Sequence, residues 1–229
     1  LFNMQIKRLL VIPARSGSKR IKNKNFKIFK GKPIISYSIL TALKSKIFDK
    51  IVVSIDDKKY FKYLNKFNVD VSFRSKKLSN DTATIELVLR DVLFKYDEFG
   101  KIFNEIWNLT PCSPLIKKED LIKASILIRN NKKKIILPVS EYPAPLEWGF
   151  KLTDKKKLIP IRKNFYKIRS QDLSKSYYDT GNFVAIPVHH FKKNFIEFDK
   201  HYLGLEIPKH RSIDIDDLED WKLAEKLYK

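Results

Sequence analysis

Cysteine is almost missing from this chain: Cys112 is the single thiol in 229 residues. No disulfide can close within it and no thiolate cluster can hold a metal, which fits a reducing compartment and sets the expectation of a cytoplasmic protein. Histidine is nearly as scarce. His189, His190, His201 and His210 lack metal-ligand spacing with any carboxylate partner and read as structural or surface residues. Neither the Gly-x-x-x-x-Gly-Lys-Ser/Thr loop nor the Gly-x-Gly-x-x-Gly fingerprint occurs. No apolar run nears the roughly eighteen residues of a membrane helix, and the N-terminus carries no signal-peptide pattern, so no membrane partner is expected. Acidic residues are outnumbered, 26 against 47 basic ones, for a net charge of +21. That balance suits polyanionic ligands, nucleic acid or an anionic surface. Lys is spread along the whole chain rather than gathered in a stripe, so charge alone does not choose among them.

Hydrophobic residues make up 43% of the chain, enough for one domain over residues 1–229 with a real core. Its organising stretch is residues 9–25. The apolar run over residues 6–12 predicts a buried first strand ending at Pro13. After it come the small residues Ala14, Ser16, Gly17 and Ser18, which let a backbone turn tightly against a ligand. Among them stand Arg15, Lys19, Arg20, Lys22 and Lys24, suited to a highly charged anion, and Asn23 and Asn25, suited to a sugar or phosphate. A loop at the carboxyl end of a strand is where open α/β sheets bind ligands.

Downstream, Pro33 opens a helical pattern to residue 46, and residues 51–55 form a second strand closed by Asp56 and Asp57. That acidic pair either supports a site or caps a helix expected over residues 58–67. A strand over 69–73 ends at Arg74. Then follow a helix over 84–96, a strand over 106–109 leading into Thr110-Pro111-Cys112-Ser113-Pro114, a helix over 117–128 and a strand over 134–140. Strands separated by helices predict a three-layer α/β/α fold with a mainly parallel sheet. Residues 141–178 change character: prolines and aromatics precede two alternating runs about a polar 154–157 turn, which predicts a projecting hairpin. A returning strand over 183–186, a short helix over 187–193 and a last helix over 219–229 complete the chain. Before that last helix, in Arg211-Ser212-Ile213-Asp214-Ile215-Asp216-Asp217, strand alternation puts Asp214 and Asp216 on one face. Two converging carboxylates suit Mg²⁺ with substrate phosphates; an acidic turn capping the last helix explains them as well.

Ile12-Pro13-Ala14-Arg15-Ser16-Gly17-Ser18-Lys19, with Lys24-Asn25 and then Gly31-Lys32-Pro33-Ile34, resembles the nucleotide-binding signature of the cytidylyltransferases that activate nonulosonic (sialic-type) acids. The resemblance implies a Rossmann-like nucleotidyltransferase fold and a nucleotide site of Ala14, Arg15, Ser18, Lys19, Lys24 and Asn25. Arg74-Ser75, followed by Leu78-Ser79-Asn80-Asp81-Thr82-Ala83, is similar to the family segment that contacts cytidine, which adds Arg74, Asp81 and Thr82. Thr110 stands where the sialic acid branch has a sugar-associated glutamine. Arg169-Ser170-Gln171-Asp172-Leu173, Tyr177-Tyr178-Asp179-Thr180-Gly181-Asn182-Phe183 and Glu141-Tyr142-Pro143 look most like the pseudaminic acid branch. They imply sugar contacts from Thr110, Arg169, Gln171 and Asp179, with the Arg169 guanidinium suited to clamp a carboxylate and an exposed ion pair as its alternative. The family's metal-binding aspartates match Asp214 and Asp216.

The resemblance thus implies transfer of CMP from CTP to a nonulosonic acid with Mg²⁺, with Arg15, Lys24 and Asp214 as the catalytic residues. It implies a homodimer in which the 141–178 extension reaches the neighbour's site. The rival reading, a non-catalytic nucleic-acid binder, predicts a continuous basic stripe that the scattered lysines do not supply.

Overall fold

In the computed structural model, residues 6–79, 83–132, 134–192 and 201–229 are described. Strand β1 (Arg8–Ala14) alternates its side chains between two apolar layers: Leu10, Ile12 and Ala14 face one way, and Leu9 and Val11 the other. A small hairpin, β2 (Ile28–Phe29) and β3 (Lys32–Pro33), leads into helix α1 (Ile35–Ser45), then β4 (Lys50–Ile55), the short α2 (Phe61–Leu64) and β5 (Asp70–Phe73). Helix α3 (Ile85–Glu98), β6 (Glu105–Leu109), α4 (Lys118–Asn130) and β7 (Ile135–Glu141) follow. The hairpin β8 (Phe150–Leu152) and β9 (Leu158–Pro160), then β10 (Tyr177–Asp179), β11 (Phe183–Pro187), β12 (Tyr202–Glu206) and α5 (Leu218–Leu227), complete the order.

Eight of the described strands make one sheet, in the order β7-β11-β6-β1-β4-β5, with β10 and β12 also pairing β7. The pairs β6-β1, β1-β4, β4-β5 and β7-β12 are parallel, and β11 and β10 run antiparallel to their neighbours. Helices α1 and α4 cover the face with Leu10, Ile12 and the fully buried Trp107, while α3 covers the face with Leu9, Val11 and Ile106. This is the expected three-layer arrangement with a mainly parallel sheet.

Several local expectations change. Strand β1 continues through Pro13, which pairs with Ser54 of β4. Proline is tolerated there because β6 pairs β1 only as far as Val11, so no β6 carbonyl waits for an N–H at Pro13. Residues 58–67 form a single-turn 3-10 helix over Lys58–Tyr60 and the one-turn α2, not one long helix. Two strands of the main sheet, β10 and β12, and the small hairpin of β2 and β3 went unread. The aspartate segment before α5 joins no ladder; instead Ile215, buried, and Ile213 anchor it in a third apolar cluster with Ile21, Phe29, Cys112 and Trp221. That cluster fastens the C-terminal segment beneath the loop after β1. The alternation therefore survives without a strand: the isoleucines point inward and the intervening aspartates away. The hairpin appears as expected, with Phe150 opposite Pro160 and Leu152 opposite Leu158.

Candidate active site

The carboxyl ends of β1, β5 and β6 surround a cleft of about 530 Å³ bordered by Arg15, Ser18, Lys19, Arg20, Lys24, Asn25, Arg74, Thr110, Cys112 and Asp216. The loop after β1 is held from two sides. Asp56, at the end of β4, accepts hydrogen bonds from the Ser16 backbone N–H (2.8 Å) and hydroxyl (3.1 Å). The buried Asn25 donates through Nδ2 to the Arg15 carbonyl (2.9 Å), and its Oδ1 accepts from the Cys112 thiol (3.2 Å). The two neighbouring aspartates thus divide the roles left open by the sequence: Asp56 supports the loop, and Asp57 caps the following turn by accepting from the Lys59 N–H (2.9 Å).

Arg74 projects from beyond β5 and donates through Nη2 to the Ser54 carbonyl (2.8 Å), leaving its Nε buried with no hydrogen-bond partner among the described residues. Burial pulls the Arg74 pKa below its usual value, partly opposed by the Asp56 carboxylate. A desolvated guanidinium bordering the cleft is well placed to receive an oxygen acceptor from a ligand. Cys112 behaves oppositely: burial pushes its thiol up to about 12, so it stays protonated and serves as a hydrogen-bond donor to Asn25, not as a nucleophile.

The C-terminal segment closes the cleft. The Lys24 ammonium donates to the Ile215 carbonyl (2.6 Å) and reaches Asp216 Oδ1 (3.5 Å), which also pairs with Arg20 (2.8 Å). Asp214 has its pKa raised, first by burial and then by the Asp216 carboxylate, against the opposing pull of Lys24. Capping falls to other carboxylates: Asp217 accepts from the N–H groups of Glu219 and Asp220, and Asp220 accepts from those of Asp216 and Asp217. Asp216 borders the cleft, and Asp214 stands close to Gly181. As a donor set the pair fits Mg²⁺, a hard cation that takes one or two carboxylates and fills its remaining positions with water and phosphate oxygens. No group of three or more His, Cys, Asp or Glu among the described residues forms a cage for a nitrogen- or sulfur-preferring metal.

A second hollow of about 380 Å³ lies on the α3 face of the sheet, walled by Ile85, Leu89, Leu137 and Ile186, with Asn108, Asp179 and His190 among its polar residues. Ile85 borders both spaces. Between them, β10 and β11 are interrupted at Thr180-Gly181-Asn182, where Gly181 adopts φ +67° and its N–H is accepted by Asp179 (2.9 Å). The break aims the Gly181 carbonyl at the Thr110 hydroxyl (2.6 Å) and the Asn182 carbonyl at the Thr110 N–H (2.8 Å). A β-carbon on Gly181 would lie 3.5 Å from Asp214 Oδ2, so the break also abuts the aspartate pair.

The structure therefore brings Ala14, Arg15, Ser18, Lys19, Lys24, Asn25, Arg74, Thr110, Asp214 and Asp216 around one region, with Asp179 in the adjoining hollow. Arg169 and Gln171 lie elsewhere, on the exposed extension, where Arg169 donates to Asp172 (2.9 Å). Asp81 and Thr82 lie outside the described residues. Sequence reasoning missed Gly181; the signal was an Asp-x-Gly turn between two short strands.

The comparisons with known proteins agree with this geometry. A family model described as cytidylyltransferase matches residues 9–211. Pseudaminic acid cytidylyltransferase of Campylobacter jejuni is 34% identical over 225 residues, covering 98% of this chain and 97% of the relative. CMP-N,N'-diacetyllegionaminic acid synthase of Legionella pneumophila is 30% identical, covering 96% and 95%. Among solved structures, a CMP:2-keto-3-deoxy-manno-octonic acid synthetase complexed with CTP superposes with a TM-score of 0.71 at 16% identity, covering 96% of this chain and 98% of that one, a likeness of fold. On the match of residues 9–211 to the family model and the nearly full-length match to these relatives, the chain belongs to the cytidylyltransferase family and is a nucleotidyltransferase.

Proposed function

We propose that the protein transfers CMP from CTP to the anomeric hydroxyl of a nine-carbon acidic sugar, with pseudaminic acid as the preferred acceptor, releasing pyrophosphate. One observation carries this reading: the Lys24 ammonium joins the cationic loop to the aspartate segment, at 2.6 Å from the Ile215 carbonyl, so cations and carboxylates meet at one cleft. Pseudaminic acid is preferred because its Campylobacter jejuni cytidylyltransferase matches over nearly the full chain, with the Arg-Ser-Gln-Asp-Leu and Tyr-x-Asp-x-Gly-x-Phe stretches in support. Legionaminic acid is second, on the Legionella pneumophila relative.

Phosphoryl-type transfer needs positioning and charge neutralisation more than a protein nucleophile. Arg15, Lys19 and Lys24 hold the triphosphate and stabilise negative charge gathering on the departing pyrophosphate. Arg74 and Asn25 position the cytidine. Thr110 and Asp179 border the acceptor side. Asp214 and Asp216 would hold Mg²⁺, which supplies Lewis-acid polarisation of phosphate oxygens when bound. The test is pyrophosphate release from CTP and Mg²⁺ with pseudaminic, legionaminic and N-acetylneuraminic acids offered separately. Release with pseudaminic acid at the highest kcat/KM supports the assignment; a higher value for another acid reassigns the substrate, and release with none overturns the reaction.

Asp56 lies outside the cleft but fixes the loop that binds the triphosphate. Asp56→Ala is expected to raise the CTP KM by about tenfold or more, since a charge-assisted bond contributes roughly 1.5–3 kcal/mol, with little change in acceptor KM. An unaltered CTP KM would remove Asp56 from loop support.

The 141–178 extension is assigned to dimerisation. Residues directly opposite in an antiparallel pair share a face, so Phe150, Leu152, Leu158 and Pro160 form one apolar face on β8 and β9. Leu152 is 68% exposed and Leu158 61%, a surface that a second copy would cover. Leu152→Asp with Leu158→Asp should shift sedimentation from dimer to monomer, weakening association by about a hundredfold or more. A parent protein that sediments as a monomer at all concentrations would refute the dimer.

A further inference from the structure

The segment that carries Asp214 and Asp216 joins no ladder, so something other than strand pairing fixes where its carboxylates stand. Downstream, Asp217 ties it to the N-terminus of α5. Its apolar anchors, Ile213 and Ile215, set its depth, but burial of apolar surface is non-directional and leaves a segment free to slide. A directional anchor stands three residues before Asp214. The Arg211 guanidinium, at the end of a 3-10 turn over Lys209–Arg211, grips Asp120 of α4 with both terminal nitrogens: Nη2 donates to Oδ1 at 3.0 Å, and Nη1 donates to Oδ2. Nη1 also reaches the Leu115 carbonyl at 3.5 Å. The two side chains are only 14% and 6% exposed, and Asp120 Oδ2 accepts in addition from the Lys117 N–H (2.9 Å). The pair thus joins the aspartate segment to α4 and to the loop after β6, whose Thr110 and Cys112 border the cleft.

A buried ion pair is a poor adhesive. Desolvating two charges costs about as much as their attraction supplies, and apolar residues of similar volume often serve stability better. What a bidentate fork adds is a fixed distance and angle. We propose that Arg211, acting through Asp120, is a positioning residue that sets the Asp214–Asp216 segment in register for Mg²⁺, touching neither the metal nor either reactant. This role presupposes the reading of those aspartates as the metal's carboxylates. Mg²⁺ demands near-ideal octahedral geometry at about 2.0–2.1 Å from its oxygens, so a small slide of the segment acts on metal affinity before it acts on the cationic loop. Lys24 does not fill this role alone, because its ammonium is also assigned to the triphosphate. Arg211 borders a separate hollow beside Leu115 and Tyr228, so its grip on Asp120 does not compete with substrate.

The test separates stability from register with two proteins. Arg211→Met removes the fork and keeps an unbranched apolar stem. Combining it with Asp120→Asn also removes the carboxylate that the first change leaves buried and unpaired. Melting temperature is read beside the affinity for Mn²⁺, a paramagnetic stand-in with the same preference for oxygen ligands, titrated into the protein alone and followed by electron spin resonance. The single variant should melt well below the parent, and the double variant should regain most of that loss. Mn²⁺ affinity should fall about tenfold or more in both. The Mg²⁺ needed for half-maximal pyrophosphate release should rise in step, with the CTP KM at saturating Mg²⁺ within a few-fold of the parent's. Metal affinity that returns with the melting temperature, or that never leaves the parent's value, overturns the assignment and makes the pair a structural one. Should Arg211→Met fail to fold, Arg211→Lys, which keeps the charge and loses the fork, is judged on the same affinity, and a parent-like value overturns the proposal. Asp214→Ala tells the two readings apart. If it binds Mn²⁺ as the parent does, or the parent binds none, the metal reading falls and this assignment with it. If Asp214→Ala loses the metal while the Arg211 variants keep it, only the role of Arg211 falls.

Discussion

Asp214→Ala should lower pyrophosphate release by about a thousandfold or more at saturating substrates, equivalent to roughly 4 kcal/mol of lost transition-state stabilisation. CTP affinity, read by calorimetry, should stay within a few-fold of the parent, because the cationic loop remains whole. The reason lies in how the carboxylates are distributed. Four aspartates stand within seven residues, yet Asp217 and Asp220 are consumed by the N-terminus of α5. Asp214 has its pKa pushed upward, first by burial and then by the Asp216 carboxylate. A dication held there would relieve the repulsion that Asp216 exerts on the Asp214 carboxylate. Asp217→Ala is the control: it should lower the melting temperature through the lost cap and leave the rate near the parent's. An Asp214→Ala protein that keeps more than a tenth of the parent rate would remove this aspartate from the reaction.

Lys24→Ala should cost about a hundredfold to a thousandfold in kcat/KM for CTP and, unlike the aspartate change, should raise the CTP KM as well as lower kcat. The Lys24 side chain is only 21% exposed, and its ammonium bridges two segments separated by about 190 positions, binding the Ile215 carbonyl at 2.6 Å and Asp216 at 3.5 Å. Its removal takes a cation from the phosphates and also frees the aspartate segment. Lys24→Arg should not restore the parent rate, because a planar guanidinium cannot occupy the place of a compact ammonium bonded to a single carbonyl. The neighbouring Arg20 also touches Asp216 but is largely solvent-exposed, so Arg20→Ala should change kcat/KM by only a few-fold. Equal effects from Lys24→Ala and Arg20→Ala would show that charge near the cleft matters and the bridge does not.

Much of this was legible in the residues themselves. The buried strand and its cationic loop announce themselves because a single strand alternates between two apolar layers and then abruptly stops doing so at Arg15. The aspartate pair was readable from alternation, although the reason differs: apolar anchoring of Ile213 and Ile215 under α5 replaces strand pairing. Strand β12 was hidden by Gly204, which reads as a breaker, but the space there is too tight for a side chain, since an added β-carbon would meet Val139 at 2.9 Å. The division of labour between Asp56 and Asp57 was beyond local patterning, because Asp56 finds Ser16 forty residues away.

The sheet's one reversal of direction has a further consequence. Everything assigned to the nucleotide hangs from strands that run the same way, whereas Asp179 and Gly181 come from the counter-running β10–β11 path. The two groups meet along a seam crossed by the paired hydrogen bonds of Thr110. With the two reactants placed as proposed, substitutions on the far side of that seam would change the walls offered to the second without moving the loop assigned to the first. A lineage could thus exchange one acceptor for another by drift on a few short strands while its dependence on CTP stays fixed, which makes the reversed strand the natural place to begin any redesign of this enzyme's product range.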